Sequence, residues 1–285
     1  MSKIIITGSE GFIGRNLKKK YKSATTVDFA EGADYKPFDF LNKFNSIVSE
    51  NDVILHNGAC SSTTENNPFY LTKVNFDYSQ CLLKKCLEYN VRLIYASSAS
   101  VYGDGPFIEN AIKKPKNLYA LSKSMFDDYA GQFLNKKNQI TGLRYFNVYG
   151  PGEEDKNDMA SVMYKFYNQA KSDREIKLFK GSGKFLRDFI YIDDVLDVID
   201  FFIKNNISGV YNVGTGVARS FFEIAKIYED KINCKIKKIE MPAHLIGKYQ
   251  KFTCANNESI LKIYSKNFHS LEQGIEKYLK YLNEK

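Results

Sequence analysis

Apolar positions recur along this chain with two different periods. Short runs rich in β-branched residues, at Ile4 to Thr7, Ala24 to Asp28, Val53 to Leu55, Arg92 to Ala96 and Ile140 to Arg144, predict strands. Between them, apolar residues spaced three and four apart, most clearly from Tyr70 to Tyr89 and from Leu118 to Leu134, predict amphipathic helices. Such alternation builds βαβ units, so the expected class is α/β, with a parallel sheet covered by helices on both faces. After Gly150-Pro151 the regularity breaks. A helix is expected from Ala160 to Ala170, strands at Lys177 to Phe179 and Phe189 to Ile192, and a helix capped by Asp193. A strand from Val210 to Val213, a helix after Ser220 and a last helix from Leu271 to Leu282 complete the pattern. No internal repeat or low-complexity linker separates the two halves, so the second is expected to pack on the first.

Composition narrows the class. The 285 residues are 44% hydrophobic with a formal charge of +8, yet the lysines are dispersed. The densest run, Lys18-Lys19-Lys20-Tyr21-Lys22, ends the predicted first helix, where cations suit the helix dipole. Nucleic acid is therefore not the expected partner, and the charge favours anionic small molecules instead. Five cysteines (Cys60, Cys81, Cys86, Cys234, Cys254) lack C-x-x-C spacing and read as free thiols of a reducing compartment. With His56, His244 and His269 as the only histidines and no ligand-spaced cluster, no metal site is expected. No basic and apolar leader precedes the strand at Lys3 to Thr7, and no run of 18 apolar residues occurs, so a cytoplasmic protein without a membrane span is expected.

Gly8-Ser-Glu-Gly11-Phe-Ile-Gly14 follows the first strand and opens the first helix. Glycines there allow a tight turn and close backbone approach to a pyrophosphate, while the helix amino terminus supplies donors. Asp28 ends the second strand, placed to accept from ribose hydroxyls, which favours NAD; Arg15 is the nearby cation that would suit NADP. Asn57-Gly58-Ala59-Cys60-Ser61 follows the third strand, at the edge where open α/β sheets bind ligands, and Asn75 reads as a polar brace near it or as a helix-surface residue. Tyr119 and Lys123 are spaced Tyr-x-x-x-Lys and share one helical face. A cation beside a phenol favours the phenolate and moves it toward useful acid/base work.

These motifs resemble the extended short-chain dehydrogenases/reductases, and Leu143-Arg-Tyr-Phe-Asn-Val-Tyr-Gly-Pro151 is similar to the same segment in their nucleotide-sugar epimerases and dehydratases. His56-Asn-Gly-Ala-Cys-Ser-Ser-Thr-Thr-Glu65, Met159-Ala-Ser-Val162 and Gly247-Lys-Tyr-Gln-Lys-Phe-Thr253 narrow the likeness to the branch that epimerises ADP-linked heptoses at C6. The resemblance implies a Rossmann-type doubly wound parallel sheet with a smaller mixed α/β substrate-binding part. Residues 1–155 would hold NAD(P), with a return segment near 187–215, and residues 156–285 would mainly hold substrate.

For the cofactor the likeness implies Gly8, Gly11, Phe12, Ile13, Gly14, Asp28, Phe29, the 57–61 loop, Asn75, Lys123, Val148 and Lys156. It favours NADP where Asp28 favours NAD. In Tyr95-Ala-Ser-Ser-Ala-Ser-Val-Tyr-Gly103 it implies a hydroxyl on the reacting oxygen, Ser98 by register, with Ser97 and Ser100 as alternatives. Lys156 matches a second base. For substrate it implies Ser98, Asn147, Asp158, Lys165, Phe179, Lys180, Gly181, Ser182, Arg187 and Tyr249. Asp158 and Lys165 stand where the family usually has serine and histidine.

The activity implied is transient oxidation of C6 to a ketone and re-reduction on the other face, within a homo-oligomer that the family suggests is a pentamer, for lipopolysaccharide core precursors. A 4-epimerase, dehydratase or reductase would share Ser98, Tyr119 and Lys123, but Ser98 to Val101 contain no acid to eliminate water. A non-catalytic dinucleotide sensor has no reason to keep Tyr119 and Lys123 at this spacing.

Overall fold

Eleven strands organise the described part of the chain: β1 (Ile4–Thr7), β2 (Thr25–Val27), β3 (Val53–His56), β4 (Arg92–Ser98), β5 (Ile140–Tyr145), β6 (Asn147–Tyr149), β7 (Glu175–Phe179), β8 (Leu186–Tyr191), β9 (Gly209–Val213), β10 (Ala218–Ser220) and β11 (Lys235–Ile239). The computed structural model describes residues 2–134, 137–242 and 250–285. Two compact units divide them. The first comprises Met1–Gly103, Ile112–Tyr145 and Leu196–Asn212; the second comprises Asp104–Ala111, Phe146–Val195 and Val213–Lys285.

In the first unit the sheet order is β2-β1-β3-β4-β5-β9, and β1 pairs in parallel with both β2 and β3. Strands β3 and β5 are buried along their whole length; β3 accordingly reads as an apolar run, Val53-Ile-Leu55, while β5 also buries Thr141 and Arg144. Ile5, Ile54, Leu93 and Ile140 meet Phe40, Leu82, Leu83 and Phe126 from the covering helices in one apolar cluster. Each such side chain contributes roughly 1.5–3 kcal/mol by leaving water. The chain leaves β1 for β2 on one side and enters β3 on the other, so the loops after β1 and β3 open a crevice at the carboxyl edge.

The predicted helix over Tyr70 to Tyr89 forms in three consecutive pieces: Pro68–Leu71, a π-helical turn Thr72–Asp77, and Tyr78–Glu88. The wider π turn carries Asn75, which is buried. Helix Leu118–Gly131 starts where Asn117 accepts a hydrogen bond from the Ala120 amide at 2.8 Å.

The second unit holds a three-stranded sheet β10-β8-β6 and a parallel pair β11-β7. Helix Phe221–Ile232 begins in a capping box of Ser220 and Glu223, and helix Leu271–Asn283 in one of Ser270 and Gln273. Asp193 is not a cap. Helix Ile192–Asn205 follows β8 directly, and Asp193 and Asp194 lie in its first turn, where their charge suits the dipole. Asp194 instead accepts from the amide and Nδ1 of His269, at 3.0 and 2.7 Å. Strands β6, β10 and β11 were not expected from the sequence.

Candidate active site

The glycine loop is built by close backbone approach. Gly8 has φ +70°, and a Cβ there would lie 2.5 Å from the Gly58 nitrogen, so the loops after β1 and β3 touch only because neither has a side chain at that point. A Cβ on Gly14 would lie 1.9 Å from the Gly8 carbonyl oxygen, whereas one on Gly11 would meet the same oxygen at 3.3 Å. Phe12 and Ile13 begin helix Phe12–Lys20, whose first turn has no acidic residue and no side-chain cap. Asp28 is fixed by two main-chain amides, Oδ2 accepting from Glu10 at 2.9 Å and Oδ1 from Ala30 at 3.0 Å. Phe29 is exposed, its ring tilted at 57° to that of Phe38 with centroids 6.1 Å apart. Lys36, unnoticed in the sequence, donates to the carbonyls of Phe29 and Ala30 at 2.8 Å each, bringing a cation to the Asp28 loop across a turn that linear spacing hides.

Asn57 Oδ1 is buried without a hydrogen-bond partner among the described residues, an acceptor held ready beside Gly58. Ala59 is half-buried and Ser61 exposed. Asn75 braces this loop: its Oδ1 accepts from the Cys60 amide at 2.8 Å, and its Nδ2 donates to the Cys60 carbonyl and the Ser122 hydroxyl at 3.0 and 2.9 Å. Both amide protons are thereby used within the protein.

Ser98 hydrogen-bonds the Tyr119 phenol, an interaction that favours the phenolate. Ser98 Oγ also accepts from the amide and hydroxyl of Ser100 at 3.2 and 2.9 Å, while the Ser97 hydroxyl is buried without a partner among the described residues. Of the three serines, Ser98 is the one on the phenol. The expectation that the Lys123 cation would lower Tyr119 is corrected by burial, which pushes the phenol above its usual value despite Ser98. Lys123, 8% exposed, donates to the Ala96 carbonyl at 3.0 Å. Burial lowers its ammonium to about 8, and the Asp127 carboxylate one turn further along the helix opposes that shift. Asp127 is itself paired with the buried Arg144 at 2.8 Å.

In the second unit, Asn147 donates to the Asp188 carbonyl at 2.9 Å, and Val148 follows it in β6. Buried Asp188 accepts from the amides of Thr215, Gly216 and Ala255 at 2.8, 2.9 and 3.0 Å, an anchor that the sequence did not signal. Its neighbour Arg187 stacks over Phe221 at 5.8 Å and donates to the Gln250 carbonyl. Lys156 lies in the 3-10 turn Glu154–Met159, half-buried, its ammonium lowered by burial and also by Lys165, with Glu153 opposing. Lys165 donates to the Asp158 carbonyl at 2.7 Å, so the two positions that depart from the family pattern contact each other. Phe179 ends β7, Lys180 pairs with Glu240, and Gly181 at φ +79° turns the chain into buried Ser182. Tyr249 lies outside the described residues.

Residues 4–214 match the profile of the NAD dependent epimerase/dehydratase family. The chain belongs to this family. Among epimerase/dehydratase sequences it is 42% identical, over 98% of its length and 97% of the relative, to the ADP-L-glycero-D-manno-heptose-6-epimerase of Brachyspira hyodysenteriae (strain ATCC 49526 / WA1). The crystal structure of the Helicobacter pylori ADP-L-glycero-D-manno-heptose-6-epimerase superposes with TM-score 0.86 at 32% identity, covering 99% of this chain and 96% of that one. A UDP-N-acetylglucosamine 4-epimerase from Methanobrevibacter ruminantium M1, at TM-score 0.87 and 22% identity over 99% and 98% of the two chains, shares the fold.

The first unit fits the dinucleotide of this family. Gly8 and Gly14 stand where a Cβ would strike backbone, the uncapped helix start offers amides to a pyrophosphate, and the fixed Asp28 carboxylate offers acceptors to a ribose.

Proposed function

We propose that this enzyme epimerises an ADP-linked heptose at C6, converting ADP-D-glycero-D-manno-heptose to the L-glycero form for lipopolysaccharide core synthesis. The observation that carries the reading is the 42% identity to a heptose 6-epimerase across 98% of the chain. A bound nicotinamide supplies reversible hydride acceptance at the substrate carbon. The chain supplies the proton chemistry. Tyr119 takes the proton of the reacting hydroxyl and returns it, Ser98 holds the same oxygen and favours the phenolate, and Lys123 ties the Tyr119 helix to the strand that carries Ser98.

Inverting a stereocentre through a ketone requires proton exchange at the substrate oxygen in two orientations. One phenol is badly placed for both. Lys156 is proposed as the second acid/base, supported by its burial-lowered ammonium and by its match to the family's lysine between the Tyr-Gly-Pro turn and Met159-Ala-Ser. Arg187 is proposed for the diphosphate, since a guanidinium makes paired charge-assisted bonds to phosphate. Asn147, Ser182 and Tyr249 complete the proposed sugar-nucleotide contacts. Asp28 and Lys36 are proposed to set the choice between NAD and NADP. The homo-oligomer implied by the resemblance belongs to the same proposal and is read from the particle mass in solution.

Incubation with ADP-D-glycero-D-manno-heptose, followed by proton NMR, tests the activity. Appearance of the C6 epimer supports it. An unchanged spectrum, while another nucleotide sugar is turned over, would refute it.

A further inference from the structure

His56 is the one histidine of the first unit, buried at the end of β3 opposite Thr7 in the β1–β3 register. Its ring sits between Tyr78 and Phe126, with centroids 5.9 and 6.2 Å away, and both ring nitrogens are engaged. Nδ1 lies 2.6 Å from the Thr7 hydroxyl, and Nε2 lies 2.8 Å from the Ser79 hydroxyl.

Proton counting fixes the tautomer. Ser79 has a single hydroxyl proton and gives it to the Asn75 carbonyl at 2.8 Å, so Ser79 can only accept from His56. Nε2 therefore carries the ring proton. Nδ1 is then the acceptor for Thr7, whose oxygen faces the Gly58 amide at 3.4 Å. The same counting applies beyond Asn75. Ser122 gives its proton to the Tyr119 carbonyl at 2.8 Å and accepts from Asn75 Nδ2 at 2.9 Å. Every donor in the chain thus has one allowed direction.

We infer that His56 is a positioning residue for Tyr119, joining the loop after β3 to the Tyr119 main chain through Ser79, Asn75 and Ser122. The link runs through Asn75 in the π-helical turn, whose main-chain carbonyl accepts from Ser79 while its side-chain amide reaches both Cys60 and Ser122. Burial, reinforced by the Lys123 charge, holds the imidazole near a pKa of about 3, so the ring stays neutral and the directions persist across the working pH range. The two ends of the chain are Gly58, in the crevice proposed for the dinucleotide, and Tyr119, the proposed acid/base. A shift in the loop is thereby transmitted to the reacting phenol. This inference rests on the reading of Tyr119 given above.

The test is a kinetic cycle on the cofactor-loaded enzyme with ADP-D-glycero-D-manno-heptose. His56→Phe keeps the ring contacts and removes both hydrogen bonds, and Ser122→Ala removes the last link. Each is expected to lower kcat about tenfold, since displacement of a catalytic group by a fraction of an ångström is costly. KM should stay within about twofold, and the double variant should be no slower than the slower single one. His56→Gln, which returns a donor toward Ser79, should recover most of kcat. Unchanged kcat in folded, loaded variants, or losses that multiply in the double variant, would overturn the inference. If His56→Phe does not fold, Ser79→Ala takes its place in the cycle with the same expectations. Tyr119→Phe serves as the control. Full activity there refutes the Tyr119 reading and the inference together, whereas an inactive Tyr119→Phe beside a fully active His56→Phe refutes the inference alone.

Discussion

The Lys123 ammonium donates to the main-chain carbonyl of Ala96 at 3.0 Å, so the helix that carries Tyr119 is tied to β4, the strand that ends in Ser98. The contact aligns phenol, hydroxyl and cation through one hydrogen bond. Replacing Tyr119 by Phe keeps the helix and removes only the proton carrier. Loss of roughly 10²–10⁴-fold in kcat is expected with little change in melting temperature, read by steady-state kinetics and calorimetry.

Burial of the Lys123 ammonium makes stability depend on pH. Its value is about 8 in the folded protein, against an ordinary lysine value of 10.5. Below pH 8 both states hold the proton and the full cost of burying the charge is present. Between 8 and 10.5 the unfolded chain binds more protons, so stability rises with pH. Cofactor-free Lys123→Met should therefore be more stable than wild type by up to about 3 kcal/mol at pH 7, the gap narrowing toward pH 10, as measured by urea unfolding. A gap that widens with pH would contradict this sign.

Gly14→Ala and Gly11→Ala separate two kinds of glycine. The first places a Cβ 1.9 Å from the Gly8 carbonyl and the second 3.3 Å from it. Gly14→Ala should destabilise by about 2 kcal/mol or more and release the dinucleotide, while Gly11→Ala should cost under about 1 kcal/mol and retain it. Chromatography of the dinucleotide freed on denaturation checks both.

The glycine loop, the Tyr-x-x-x-Lys pair and the βαβ order were legible because each is local: a turn, a helical face, a periodicity. Asn75 was harder. A 3.6-residue pattern carries no sign of a π-helical turn, so its inward direction appears only in three dimensions. Strand β11, Lys235-Ile-Lys-Lys-Ile239, hides behind its exposed lysines and forms because β7 pairs with it. Asp188 acts on a loop distant in sequence, where no spacing rule reaches, and Lys36 reaches back across an irregular turn to Phe29 and Ala30. The raised Tyr119 phenol was not legible, because spacing shows the cation one turn away and not the desolvation that a half-buried site imposes.

Asp28 and Lys36 place opposite charges at one loop. Asp28→Ala should shift the affinity ratio toward NADP, and Lys36→Ala toward NAD. Each shift should be about five- to tenfold, equivalent to ~1 kcal/mol, as read by titration of both dinucleotides.

Lys156→Met should lower epimerisation at least about a hundredfold while leaving the fold and the retained dinucleotide intact. Full activity in this variant would remove Lys156 from the mechanism.

Transient oxidation keeps the C6 hydrogen inside the site, whereas epimerisation by proton abstraction at carbon would exchange it with solvent. The most direct measurement is conversion of ADP-D-glycero-D-manno-heptose in deuterium oxide, with the product examined by proton NMR. The expected result is the L-glycero epimer with protium retained at C6. Epimer carrying deuterium at C6 would contradict the account.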